Sequence, residues 1–291
     1  MNLDERGRNP WIGLNTADAT TSNTEPNTAE DAMTRVLILR APGTNCDQET
    51  AFAFERAGAA VADVVHINRL LESQQMVTDY QVLCLPGGFS YGDDIAAGCI
   101  VAGQIRHHLI DVFQKFLDDG KLVLGICNGF QVLLKAGLLA AGHPTPATLT
   151  WNDSGRFEDR WVHLEVDGRH SPFLHGIERM YLPIAHAEGK FVTRDEHQLS
   201  ALASNGQLAI RYAHAESEVP TNGVPLPFPW NPNGSQGNVA GICDATGRIL
   251  GLMPHPERFI ERTHHPKWTR RPVDASADGL AVFRNAVRYF Q

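Results

Sequence analysis

The chain has 291 residues, 43% of them hydrophobic, which is enough to bury a sizeable core in one large or two modest domains. The net charge of −8 and the lack of a strongly basic stretch argue against a nucleic-acid partner, and no apolar run is long enough to cross a membrane. The five cysteines are scattered without a Cys-x-x-Cys pair and no secretory signal precedes them, so we predict a reduced, cytoplasmic protein.

The first 32 residues differ in composition from the rest of the chain. They are rich in Thr, Asn, Asp and Glu and have no apolar periodicity, which is typical of a disordered tail. Met33 stands directly before the first apolar run, so we hypothesise that translation starts at Met33 or that residues 1–32 are dispensable. Residues 33–291 are then expected to form the functional domain.

Apolar runs and helical patterns alternate in the first half of the chain. Strands are expected at residues 36–39, 60–66, 82–85 and 122–126, with helices at about 48–57 and 98–117 and another after Cys127. This alternation predicts an α/β fold with a mostly parallel open sheet and helices on both of its faces. Ligands of such sheets bind beyond the carboxyl ends of the strands, so the turns at Gly43, Gly87 and Cys127 are expected to meet at one edge.

The second half of the chain is richer in strand patterns. Strands are expected at residues 161–166, 181–185, 207–212, 239–243 and 249–253, and a last helix at 277–290. Loops rich in proline and glycine separate them, and aromatic residues interrupt these loops, so we interpret them as ordered. The β-rich half is therefore expected to extend the α/β core rather than form a separate domain.

A Gly-x-Cys-x-Gly sequence joins the strand at 122–126 to a helical pattern. This arrangement is that of a nucleophile elbow, with Cys127 in place of the serine of many hydrolases. A glycine on each side avoids steric conflict in a strained turn, and the helix N-terminus favours a thiolate over a thiol. The alternative is a buried structural cysteine in an ordinary strand–turn–helix.

A cysteine nucleophile requires a base, and the base requires an orienting group. His255 follows a short apolar strand and is flanked by two prolines, which places it at the same sheet edge. Glu257 lies two residues further, on the same side of an extended segment, where it can hold one imidazole nitrogen while the other faces Cys127. A solvated His-Pro turn is the alternative, and the combination with Cys127 favours the catalytic interpretation.

The turn Pro86-Gly87-Gly88 has a bare backbone that can approach the elbow closely. A main-chain N–H from this turn, together with the N–H of Asn128, is a candidate pair of donors to an oxyanion. Two glycines alone are a weak signal, and an ordinary βα turn is the alternative.

These sequences resemble the class I, triad-type glutamine amidotransferases, whose fold is a flavodoxin-like α/β sheet. Within that group, other stretches are similar to the family of glutaminase subunits of phosphoribosylformylglycinamidine synthase: residues 41–47, 86–94, 184–191, 231–235 and 255–258. The resemblance covers residues 34–291 and departs from the family pattern at Ala187, where glycine is usual.

The resemblance implies a role for each matching residue. Cys127 attacks the carboxamide of glutamine, the N–H groups of Gly88 and Asn128 hold the oxyanion, His255 transfers the proton, and Glu257 orients His255. Two further residues are implied to line or approach the glutamine pocket: Gln131 and His186. The products are glutamate, formed through a thioester, and ammonia.

The resemblance also implies partners. A synthetase subunit uses the ammonia and ATP to convert formylglycinamide ribonucleotide to formylglycinamidine ribonucleotide in de novo purine (IMP) synthesis, and a small bridging subunit completes the complex. No cofactor is expected in this chain, which lacks both phosphate-binding glycine motifs, so ATP and Mg²⁺ belong to the synthetase. The turn at residues 89–97 is a candidate docking surface, and a solvated helix start is the alternative for Asp93 and Asp94.

Other functions remain open from the sequence. The same elbow and His-Pro-Glu occur in the glutaminase components of GMP, carbamoyl-phosphate and anthranilate synthesis, and a non-enzymatic binding protein is a second alternative. A metal site at His107-His108 or His264-His265 is not expected, because adjacent histidines point in different directions and no ligand spacing completes a site. Cys46 is interpreted as a structural or interfacial residue, with a second reactive thiol as the alternative.

Overall fold

A mixed sheet lies at the centre of the computed structural model, which describes residues 33–140, 146–215, 224–273 and 275–291. The predicted tail at residues 1–32 is outside the described residues, and Met33–Gln291 forms one compact unit. The strands of the described residues are β1 (Arg35–Arg40), β2 (Val61–His66), β3 (Val82–Leu85), β4 (Leu122–Ile126), β5 (Ala147–Thr150), β6 (Glu158–Val166), β7 (Arg179–His186), β8 (Lys190–Thr193), β9 (Ile210–Ala213), β10 (Val239–Cys243) and β11 (Ile249–Leu252).

The main sheet has the strand order β2-β1-β3-β4-β11-β10-β9-β6-β7. In this spatial order, neighbouring strands from β2 through β4 to β11 pair in parallel, and neighbouring strands from β11 through β10 to β7 pair antiparallel. β4 is completely buried, as expected for a central parallel strand covered on both faces. β11 is the last strand in the chain but lies in the middle of the sheet, where it joins the parallel half to the antiparallel half.

The helices of the described residues pack against this sheet in separate groups, with α1 against α7 and α3 against α5. They are α1 (Asp47–Arg56), α2 (Ile67–Glu72), α3 (Cys99–Gln104), α4 (Ile110–Asp118), α5 (Asn128–Ala136), α6 (Glu196–Ser204) and α7 (Leu280–Arg288). Phe54 of α1 and Phe283 of α7 are fully buried and meet edge to face, with ring centroids 4.9 Å apart. α5 ends at Gly137, whose φ of 81° terminates the helix in the left-handed conformation.

The predicted fold class is confirmed, and most predicted elements occur within a few residues of their expected bounds. The single helix predicted at 98–117 is instead divided by a π-helical turn at Ile105–Leu109. Leu109 has φ of −125° and ψ of 0°, and neither proline nor glycine marks this break in the sequence. The sequence reasoning did not predict four elements: α2, α6, and the small antiparallel sheet of β5 and β8. In the described ranges, no helix has both the length and the apolar character needed to cross a bilayer.

Candidate active site

Cys127 occupies a sharp turn between β4 and α5. Its φ of 50° and ψ of −103° are unusual for a residue other than glycine, and its side chain is buried. A Cβ atom on Gly129 would lie 1.9 Å from the carbonyl oxygen of Leu85, and one on Gly125 would lie 2.5 Å from Leu133 Cδ1. The two glycines are therefore required by close packing, as the elbow sequence predicts.

His255 is brought to Cys127 by the pairing of β4 with β11, in which Ile126 lies opposite Leu252. Both residues then follow the carboxyl ends of neighbouring parallel strands. The His255 main-chain N–H donates to the Pro183 carbonyl at 2.8 Å, which connects the loop after β11 to β7. The prediction that the two side chains share one sheet edge is confirmed by this topology.

Glu257 binds His255 directly. Its Oε1 atom lies 2.6 Å from His255 Nδ1, and both side chains are almost completely buried. The sequence reasoning expected an extended segment here, but residues Pro256–Arg258 form a 3₁₀ turn. The turn brings the carboxylate back toward the imidazole, so the expected contact forms through a different backbone geometry.

The pKa of His255 is raised well above its ordinary value. Burial alone lowers this pKa, but the negative charge of Glu257 and the neighbouring Cys127 and Cys46 thiols outweigh burial. Nε2 of His255 is buried and makes no hydrogen bond of standard geometry with the described residues, although the Cys127 thiol is close enough to influence the ring. This environment favours the imidazolium form of His255.

A cavity of about 240 Å³ opens next to the Cys127 side chain. Its walls come from the turn after β3, from the elbow with α5, from the residue after β5, and from the end of β7 with the turn that follows it. The lining residues are Gly88, Phe89, Gly92, Asp93, Ala97, Cys127, Gln131, Trp151, Ala185, His186, Ala187 and Glu188. The cavity contains two carboxylates near a nucleophile, which suits a small molecule that carries a cationic group.

The three turns expected at this edge do meet. The Cys46 N–H donates to the Gly87 carbonyl at 3.2 Å, and the Phe89 N–H donates to the Gly43 carbonyl at 3.0 Å. Gly88 has φ of +145°, and a Cβ atom there would lie 2.8 Å from the backbone of Asn45. Gly88 thus lies in the cavity wall with Cys127, in a conformation that only glycine adopts easily.

Asn128 and Gln131 form a buried polar chain along the start of α5. Asn128 Nδ2 donates to Asp93 Oδ1 at 3.1 Å and to Gln131 Oε1 at 3.0 Å, while Gln131 Nε2 donates to the Glu188 carbonyl at 2.6 Å. The Ser90 N–H approaches Asn128 Oδ1 at 3.4 Å, which fixes the orientation of that amide. The Asn128 side chain is thereby fully engaged within the protein.

His186, the last residue of β7, is held in one tautomer by Asn152. The Asn152 amide donates to the carbonyls of His186 and Arg156, both at 2.9 Å, and its Oδ1 accepts the Gly189 N–H at 3.1 Å. The atom facing His186 Nδ1 at 3.2 Å is therefore an oxygen, so Nδ1 carries the proton and Nε2 carries a lone pair. Burial and the nearby His255 lower the pKa of His186 to about 3, which keeps the ring neutral.

The Nε2 lone pair of His186 is buried and has no hydrogen-bond partner among the described residues. His186 contributes to the cavity wall, and its Nε2 atom is a buried acceptor behind that wall. The sequence reasoning placed His186 near the pocket but did not find Asn152. Asn152 belongs to no recognisable motif, because the residue that it binds, His186, lies 34 positions away in the sequence.

One group of three potential metal ligands occurs within the described parts of the chain: Cys46, His255 and Glu257. Two of these residues are the His255–Glu257 pair described above, and the Arg258 guanidinium beside Cys46 disfavours a cation there. Neither His107-His108 nor His264-His265 is part of such a group. The contacts of Cys46 and Arg258 with this cluster were not predicted from the sequence.

Comparison with known proteins identifies the family. Residues 33–290 match the CobB/CobQ-like glutamine amidotransferase domain. The phosphoribosylformylglycinamidine synthase subunit PurQ of Dehalococcoides mccartyi is 43% identical over 262 residues, covering 88% of this chain and 97% of that protein. The PurQ subunit of Methanococcus maripaludis strain S2 is 41% identical over 274 residues, which cover 88% of this chain and 97% of that protein.

A solved structure agrees with these relatives. A chain from the structure of PurLQS from Thermotoga maritima is 31% identical to this one, with a TM-score of 0.66, and the match covers 89% of this chain and 100% of that chain. A putative GMP synthase protein from Thermoplasma acidophilum, at 15% identity and a TM-score of 0.53, covers 89% of this chain and 94% of its own and shares the fold alone. The chain belongs to the PurQ family of glutamine amidotransferases.

Proposed function

We propose that this chain is the glutaminase subunit of a phosphoribosylformylglycinamidine synthase. The observation that carries the proposal is the position of Cys127, which lies at a strained elbow in the wall of a small cavity with the buried His255–Glu257 pair behind it. These residues supply a nucleophile, a base and an orienting carboxylate in the arrangement that acyl transfer requires.

In the first half-reaction, the Cys127 thiolate attacks the side-chain carbonyl carbon of glutamine. The resulting oxyanion is stabilised by the main-chain N–H groups of Gly88, which lines the cavity with Cys127, and of Asn128, the residue after Cys127. The His255 imidazolium gives its proton to the amide nitrogen as the C–N bond breaks. Ammonia leaves, and a glutamyl thioester remains on Cys127.

In the second half-reaction, water attacks the thioester carbonyl while neutral His255 accepts the proton from the water. The C–S bond breaks, glutamate leaves, and the thiolate–imidazolium pair is restored. Glu257 holds Nδ1 of His255 throughout, so the Nε2 atom faces the reacting groups.

His186 and Gln131 contribute to substrate recognition in this proposal. The His186 Nε2 lone pair can accept a hydrogen bond from the carboxamide NH₂ of glutamine, and glutamate has no such donor when ionised. Gln131 acts indirectly, because its amide holds the Glu188 carbonyl and thereby shapes the cavity wall.

The partners of the chain follow from its family. We propose that the ammonia passes to a PurL-type synthetase, which binds ATP and Mg²⁺ and converts formylglycinamide ribonucleotide to formylglycinamidine ribonucleotide in purine synthesis. A small bridging subunit is expected to complete the complex, as the PurLQS structure of the Thermotoga maritima protein supports. The cytoplasmic location stays a prediction that cell fractionation tests.

The turn at residues 89–97 is proposed as the synthetase docking surface. It lies at the mouth of the cavity and exposes 45% of Phe89 and 89% of Ile95. Trp151 and Phe157 extend this apolar surface and are 58% and 49% exposed. Ile95→Asp is expected to reduce co-purification with the synthetase, whereas Val273→Asp, at another exposed apolar residue, is the matched control.

The function is tested by glutamine hydrolysis with and without the synthetase, followed by a glutamine-dependent assay of amidine formation. Cys127→Ala is expected to abolish both activities and to leave ammonia-dependent amidine formation by the complex intact. Cys99→Ala, at a half-buried cysteine outside the cavity, is the control. Equal glutaminase activity in wild type and Cys127→Ala would contradict the assignment, and selective binding of a GMP, carbamoyl-phosphate or anthranilate synthetase would favour those alternatives.

A further inference from the structure

A second thiol lies in the catalytic cluster. Sulfur, nitrogen and oxygen atoms of Cys46, His255 and Glu257 all lie within 4.8 Å of one another. Arg258 Nη2 donates to the Cys46 sulfur at 3.2 Å, and Arg258 Nε lies 3.9 Å from Glu257 Oε1. The guanidinium group is therefore held between the Cys46 thiol and the carboxylate that binds His255.

We propose that Cys46 and Arg258 are positioning residues for the His255–Glu257 pair. Cys46 anchors the Arg258 guanidinium beside Glu257, and the guanidinium charge supports this buried carboxylate in its contact with His255. The inference rests on the proposed function, since it assigns these residues to the same thiol chemistry.

Cys46 is itself held firmly in place. Its side chain is 1% exposed, its N–H donates to the Gly87 carbonyl at 3.2 Å, and its carbonyl accepts the Thr50 hydroxyl at 2.6 Å. The thiol donates to Asn45 Oδ1 at 3.4 Å, which leaves the sulfur lone pairs for Arg258. A Cβ atom on Gly87 would lie 3.2 Å from this sulfur and 2.7 Å from His255 Cε1, so glycine is needed for the thiol and the imidazole to pack here.

The Glu257 carboxylate needs this support. It is buried, and its Oε2 atom has no hydrogen-bond partner among the described residues. An ionised carboxylate in such a place depends on nearby positive charge. The Arg258 side chain is 37% exposed, so without an anchor it can turn toward water, where its charge is screened. The same contacts affect the pKa of the Arg258 guanidinium. Burial lowers this pKa, but Cys46 and Glu257 outweigh burial and raise it above its ordinary value.

The titratable and charged groups that face this cluster come from several elements. Besides Arg258, they are Cys46 before α1, Cys84 of β3, Cys127 after β4, His186 of β7 and Tyr212 of β9. Arg258 is the group in this set that stays cationic at every working pH. Removing its charge is therefore expected to raise the proton affinity of the whole thiol–imidazole–carboxylate unit.

The test measures the rate of Cys127 alkylation by iodoacetamide as a function of pH, with the modified residue identified by peptide mass. This probe reports the formation of the thiolate without any turnover. The acid limb of the profile is expected to move to higher pH by about half to one unit in Arg258→Gln, and by less in Cys46→Ala. Arg258→Lys and Cys46→Ser, which keep the charge and the acceptor, are expected to retain most of the wild-type profile.

Arg284→Gln, at an exposed arginine of α7, is the control for loss of a positive charge, and thermal melting identifies variants that fail to fold. If Arg258→Gln does not fold, the inference is tested by comparing the acid limbs of Cys46→Ala and Cys46→Ser. An unchanged acid limb in the folded Arg258→Gln and Cys46→Ala variants overturns the inference. Failure of the proposed function is distinct, because it would appear as the absence of glutamine-dependent amidine formation, which the alkylation profile does not measure.

Discussion

Lys135 Nζ lies 3.9 Å from Glu188 Oε2, and both side chains are more than four-fifths buried at the edge of the cavity. The carboxylate of Glu188 is thus paired with a cation inside the protein. The other carboxylate of the cavity, Asp93, accepts a hydrogen bond from the neutral amide of Asn128. Burial and the charge of Glu188 raise the pKa of Asp93. Asp93 is therefore the carboxylate that gains most from a cationic ligand.

We expect Asp93 to bind the α-ammonium group of glutamine. Asp93→Asn should raise KM for glutamine about tenfold to a hundredfold with a smaller effect on kcat, because it removes a charge-assisted hydrogen bond at a distance from the reacting carbon. Asp94→Asn is the matched control, since Asp94 is the exposed neighbour that does not line the cavity. A KM that is equal in the two variants would show that the ammonium binds elsewhere.

Replacement of Glu257 by glutamine should lower kcat on the order of 10²–10⁴-fold, as loss of an orienting carboxylate does in related triads. The physical reason is that burial lowers the pKa of His255, and Glu257 is the largest of the influences that raise it. The variant therefore loses the imidazolium at neutral pH. Steady-state glutamine hydrolysis measures the effect, with Glu261→Gln at a half-exposed carboxylate as the control. A loss confined to KM would contradict an orienting role.

Acid should destabilise the protein through His186. The pKa of this buried ring is lowered from 6.5 to about 3, so protonation favours the unfolded chain. The stabilisation is complete above pH 6.5 and is lost as the pH falls toward 3. In His186→Gln, the free energy of unfolding should depend less steeply on pH, by up to about 1.4 kcal/mol per pH unit. Urea unfolding at several pH values between these limits measures the slope. His197→Gln, at an exposed histidine, is the control for the loss of an imidazole.

A shortened chain that begins at Met33 should keep full glutaminase activity with the synthetase. The family match begins at residue 33, and Met33–Gln291 forms one compact unit. The comparison of kcat and KM between the full and shortened chains measures this directly. A loss of activity, with melting temperature unchanged, would show that residues 1–32 have a function.

The parts of the molecule that could be predicted from sequence are those with a local signal. The elbow at Cys127 was predictable because its steric requirements fall on Gly125 and Gly129, four residues apart. The parallel strands were predictable because burial on both faces leaves continuous apolar runs such as that of β4. The fold class, the family and the glutamine amidotransferase activity followed from these features and from the resemblance.

The remaining contacts could not be predicted because they join residues that are distant in sequence and carry no motif. The Asn152 side chain contacts His186, but an asparagine in a polar loop is too common to indicate such a contact. Arg258 contacts Cys46, which is 212 positions away in the sequence. The role of this contact depends on the burial of the neighbouring residue Glu257, which the sequence does not reveal. The roles of Gly88, Asn128, Gln131 and His186 in catalysis stay predictions that substitutions at these positions can test.

The position of β11 has a consequence for the newly made protein. The elbow and its thiol are complete once α5 has been synthesised, but His255 and Glu257 follow β11, which enters the sheet between β4 and β10. A nascent chain therefore carries the sulfur long before it carries the base. The thiol, the imidazole and the carboxylate therefore come together only when β11 has taken its place beside β4. Completion of the site is thus tied to a late folding step, the insertion of β11 into the middle of the sheet.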